Sequence, residues 1–89
     1  MDSTLPLDKA LRNETDKWLV RLQTAYSDFS PTNKLPEKDL KPIRENIKAY
    51  IEDAKFFLEK NDLIRAFEAV IYAWGLLESC QHLGLIKKV

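Results

Sequence analysis

Glycine is scarce in this chain: Gly75 and Gly84 are the only two among 89 residues. That poverty leaves no glycine-rich loop to cradle a phosphate. β-Branched and aromatic residues also never hold the two-residue alternation that a half-buried strand needs, so no sheet is expected. Cysteine is scarcer still. Cys80 stands alone, which excludes an internal disulfide, and with His82 as the single histidine a four-ligand zinc site would have to borrow carboxylates. An excess of one charge is missing too: Lys and Arg number 14 against 14 Asp and Glu, which disfavours phosphate backbones and anionic membrane surfaces as partners. No apolar run approaches the roughly 18 residues a membrane helix requires, and Met1-Asp2-Ser3-Thr4 lacks the basic start of a signal peptide. These absences describe a cytoplasmic chain with no metal, no cofactor and no membrane partner. What is present, 45% hydrophobic and 31% charged residues, suits one small folded domain rather than a disordered tail.

The apolar pattern has the period of a helix throughout. Leu11, Thr15, Trp18, Leu22, Ala25 and Phe29 follow at steps of four and three, with Leu19 and Tyr26 beside them, which predicts helix 1 over about 7–29. Between about 30 and 41 the periodicity lapses around Pro31 and Pro36, marking a linker. Pro42 suits the first turn of helix 2, which then runs to about 60 on a stripe of Ile43, Ile47, Tyr50, Ile51, Ala54, Phe57 and Leu58. Asn61-Asp62 makes a two-residue break, because Asn tolerates a left-handed backbone and Asp is a good helix N-cap. Helix 3 spans about 63–83 and stops where Gly84 can turn left-handed and Leu85 can fold back. About two-thirds of its circumference is apolar, centred on Leu63, Ala66, Phe67, Val70, Ala73, Trp74 and Leu77. The expected fold is therefore all-α, a three-helix up-down-up bundle in a single domain over 1–89, with helix 3 as its central spine.

Few residues offer chemistry. Glu78 and His82 are four apart on one helix, a spacing that can present two metal ligands, but no second pair completes a set, and a histidine in a last turn is already favoured by the helix dipole. Cys80 and His82 point about 200° apart around the helix and form no nucleophile–base dyad, so Cys80 reads as a small buried hydrophobe. No catalytic, cofactor-binding or metal-binding residue is assigned, and an enzyme built on Glu68 and Glu78 ranks last among the readings. Trp18, Tyr26, Phe29, Tyr50, Phe57, Phe67 and Trp74 fall on the expected inner faces and read as packing. Val20, Phe56 and Tyr72 point away from their stripes. Phe56 and Tyr72 are the kind of side chain that anchors a partner. Together with Ile64, Ile71 and Leu76 on the flanks of helix 3, they form the candidate interaction surface.

The run from Tyr50 through Glu52-Asp53-Ala54-Lys55-Phe56-Phe57-Leu58, Asn61-Asp62-Leu63-Ile64-Arg65-Ala66-Phe67-Glu68-Ala69-Val70 and Tyr72-Ala73-Trp74-Gly75-Leu76-Leu77-Glu78 to Leu83-Gly84-Leu85 resembles the signature of a family of short archaeal proteins known only as a domain of unknown function. The resemblance is densest over 50–85; helix 1 matches only in length. It implies a three-helix bundle and transfers no functional residues. Where the family usually has glycine this chain has Asn61, which can hold the same backbone conformation. The small residues Ala54, Ala66, Ala69 and Ala73 are also similar to a single tetratricopeptide-type unit, although no second copy follows. The same stretch resembles the higher eukaryote and prokaryote nucleotide-binding (HEPN) helical domains, but the arginine that their ribonuclease members carry shortly before the histidine is missing ahead of His82.

The leading functional expectation is a small non-enzymatic helical module that acts by protein association, as a homodimer or on another protein, through the flanks of helix 3. The alternative is a HEPN-like nucleotide- or nucleic-acid-binding domain without the catalytic motif, with Lys55, Arg65 and His82 as its basic contacts. The balanced charge counts against that alternative.

Overall fold

The computed structural model describes residues 6–87 and is all-α: α1 (Pro6–Ser27), α2 (Glu37–Glu59) and α3 (Leu63–His82). α1 is described from Pro6 onward, and proline is tolerated in a first helical turn. Its buried side is Thr15, Leu19, Leu22 and Ala25. The hydroxyl of the fully buried Thr15 donates to the Leu11 carbonyl at 2.7 Å, so no polar group is stranded there.

α2 begins earlier than the expected residue 42. Pro36 adopts an extended backbone at the N-cap, φ −56° and ψ 145°, and the helix proceeds from Glu37 through Pro42. Pro42 gives up one intrahelical donor, yet the preceding turn is held by Leu40, which is completely buried, and by the ion pair between Arg44 and Glu37. Glu37 and Asp39 also place negative charge at the positive end of the helix dipole. Leu40, Ile43 and Ile47 continue one apolar stripe, so burial overrides the local signal of the proline.

The tight turn between α2 and α3 is a Schellman motif. Asn61 is left-handed at φ 58°, its N–H bonds to the Leu58 carbonyl, and the Asp62 N–H reaches the Phe57 carbonyl at 2.8 Å. The Asp62 carboxylate then accepts from the Arg65 N–H and caps α3. α3 ends in the same way, with Gly84 at φ 71°, its N–H on Gln81 and the Leu85 N–H on Cys80 at 2.9 Å. The connection after α1 is tied to this terminus. Thr32 donates from its N–H to the Leu85 carbonyl and from its hydroxyl to the Gly84 carbonyl at 2.6 Å, Lys87 N–H bonds to Ser30, and Pro31 and Ile86 form an isolated antiparallel bridge. At the other end Arg12 reaches the Leu58 carbonyl and the Asn61 side chain at 2.7 Å. α1 thus starts beside the α2–α3 turn and finishes beside the C-terminal end of α3.

α3 packs most extensively on α2, less on α1, while α1 and α2 touch least. The closely packed side of α3 is Leu63, Ala66, Ala69, Val70, Ala73, Leu77 and Cys80, facing Ala54, Ile47 and Ile51 of α2. Alanines on both helices leave room for close approach, and the large aromatics are pushed outward. Phe67 and Trp74, read from the sequence as the centre of the core, are half-buried, as are Trp18, Tyr26, Phe29, Tyr50 and Phe57. The fully buried core is aliphatic instead, built on Leu22, Leu40, Ile47, Val70, Leu77 and Ile86.

Candidate interaction surface on α3

Because α3 turns its alanine-rich side inward, the opposite flank carries large apolar groups into solvent. Ile64 is 67% exposed, Ile71 49% and Tyr72 62%. Tyr72 is held in place by Tyr50 of α2, the two rings lying stacked at 5.6 Å and 16°. Leu76, the fourth expected surface residue on this helix, is half-buried against the core. Ile71, Tyr72 and Leu76 line one shallow groove of about 520 Å³ together with Phe67, Glu68 and Gly75. Ile64 does not line it. Phe56 does not either: it lies half a turn around α2 from Ile47, 53% exposed, against Phe57 and beneath the Lys60 ammonium. The five residues singled out from the sequence therefore form one three-residue surface and two outliers.

Ile71 also lines a second groove, of about 590 Å³, between α1 and α3. Its walls are Leu7, Leu11 and Trp18 from α1 and Phe67 and Trp74 from α3, with Glu14 and Glu78 at the edge. The floor is fixed by the two tryptophans, which meet edge to face at 5.9 Å while Trp74 Nε1 donates to the Trp18 carbonyl at 3.1 Å. The Arg21 guanidinium covers Trp18 at 4.7 Å from the ring centre. Glu14 accepts from Lys17 at 2.9 Å and from Trp18 Nε1 at 3.2 Å. The hydrogen bond from Lys17 does most to hold the Glu14 carboxyl below its ordinary range; desolvation opposes it, and Trp18, the Lys17 charge and Arg21 add to the lowering. Leu7, 75% exposed, and Leu83, 58% exposed, were missed in the sequence, since each sits at a helix end where a periodic stripe says little about burial.

The groups with chemical potential stay apart. Cys80 is buried, and burial pushes its thiol up from the ordinary range, away from the thiolate a nucleophile needs. His82 is exposed at the end of α3. Among the described residues no three His, Cys, Asp or Glu side chains gather where they could hold a metal ion. Lys55 pairs with Glu52 and Arg65 with Asp62, each at 3.6 Å within its own stretch of chain, so neither is drawn toward His82. No helix among the described residues is long and apolar enough to cross a membrane.

A model of the family described as a protein of unknown function, DUF357, matches residues 17–86. The chain belongs to the DUF357 family. The crystal structure of a DUF357 protein from Archaeoglobus fulgidus superposes with a TM-score of 0.78, at 37% sequence identity, over 93% of this chain and 99% of that one. The family match reaches from the middle of α1 to Ile86, further than the resemblance read over residues 50–85, so the second half of α1 belongs to the shared pattern. Among curated proteins nothing matches.

Proposed function

We propose that this DUF357 protein is a non-enzymatic, cytoplasmic module that works by protein association through the outward face of α3. The observation that carries this reading is the exposure of Ile71 and Tyr72 in the middle of a helix whose other side is packed, with an apolar groove on either side of Ile71. Isolated exposed apolar residues are ordinary, but contiguous ones on a rigid element are characteristic of protein-binding surfaces. The Tyr50–Tyr72 stack supports the same reading, because an immobilised aromatic loses little conformational entropy on docking. The buried thiol of Cys80 and the solvent-facing His82 favour binding over catalysis.

A photo-cross-linking side chain placed at Ile71 of the full chain, in native cells, should form a covalent adduct with a protein, whether a second copy or another chain. The same probe at Glu45, exposed on α2, should form none, and Tyr72→Lys in the Ile71-labelled chain should abolish the adduct. No adduct at Ile71, or an equal one at Glu45, would contradict the proposal.

A further inference from the structure

The outward face of α3 holds a glycine that its own chain does not explain. Gly75 lies in the helix interior, where glycine is disfavoured, and it is exposed. A Cβ built there would meet nothing within 4 Å, so no neighbour within the protein demands the missing side chain. Seven residues make about two helical turns, which places Glu68 and His82 on the same line as Gly75, each about 10.5 Å away in opposite directions. All three are exposed. An acid and a base set symmetrically about a bare point of backbone form a pattern that complements itself when the helix is reversed.

Resting on the reading of α3 as a binding face, we infer that its occupant is a second copy of this chain: two α3 helices cross antiparallel at Gly75 about a two-fold axis, and Glu68 of each protomer faces His82 of the partner subunit. Side-by-side parallel pairing would set two Glu68 carboxylates against each other with no imidazole to donate to either, so the acid–imidazole pairs select the antiparallel sense. Gly75 lets the two backbones approach closely. That approach brings Ile71, with Gly75 one turn on, into the partner's face and covers the groove that Ile71 and Gly75 line together. A balance of 14 basic and 14 acidic residues leaves no net repulsion between copies.

Sedimentation equilibrium of the full chain over a wide concentration range should give a dimer. Glu68→Lys should raise its dissociation constant about tenfold or more, since two contacts change at once. Combining Glu68→Lys with His82→Glu should restore the dimer, which a merely structural role for either residue would not do. Gly75→Leu should abolish it without lowering the melting temperature of the monomer, because that side chain enters open space within one chain. A wild-type monomer at every concentration, a charge swap that fails to restore association, or a Gly75→Leu dimer of undiminished stability would each overturn the antiparallel pair. A monomer that still cross-links from Ile71 to a different protein overturns the self-pairing alone and leaves the binding role of the α3 face standing.

Discussion

Leu77 is completely enclosed between the helices, whereas Phe67, ten residues earlier on α3, keeps part of its ring in water. Removing a buried side chain costs its transfer free energy and the cavity it leaves, so Leu77→Ala should lose about 2–5 kcal/mol. Phe67→Ala should lose less, despite the larger side chain, because the site opens to solvent and leaves no closed void. Urea melts of both variants check the order, and a greater loss for Phe67→Ala would place the core where the sequence pattern alone puts it. That pattern is ambiguous for a physical reason. A two-thirds apolar circumference says that α3 is widely covered, but not which arc packs tightest; Ala54, Ala66, Ala69 and Ala73 decide it by allowing close approach, and alanine contributes little to a hydrophobicity reading.

At the scale of elements, the ends of the helices were the most legible features. Asn61, Asp62 and Gly84 hold the left-handed and capping geometries their chemistry favours, since turn residues act through their own backbone and need no tertiary context. The start of α2 was not legible, because Pro42 is a strong local signal and the burial of Leu40 that outweighs it depends on the other helices. Asn61 adds a second role that its turn position hides: its side-chain oxygen accepts from Arg12 and ties α1 to the turn. Asn61→Ala loses both the left-handed tolerance and that bond and should cost about 1–2 kcal/mol. Asn61→Gly keeps the turn and should cost less, because glycine recovers the backbone strain. Thermal melts that ranked the glycine variant below the alanine variant would show that glycine's greater chain entropy outweighs the turn geometry, since both variants lose the Arg12 contact equally.

For the whole molecule, three helices of this size enclose an aliphatic core but do not cover α3 all round, and the uncovered side exposes Ile64, Ile71 and Tyr72. The candidate surface was half legible in advance. Ile71, Tyr72 and Leu76 follow from helix periodicity, whereas the place of Phe56 relative to them depends on how α2 is rotated against α3, which no single helix records. The central claim is that this face is covered when the protein is at work. Hydroxyl-radical labelling, comparing each residue in dilute purified protein with the same residue at native concentration in cell extract, addresses it most directly. Tyr72 and Ile71 should be protected in the extract, while Phe56, similarly exposed but off the face, should label at an unchanged rate; labelling of Tyr72 and Ile71 that does not fall would contradict the account.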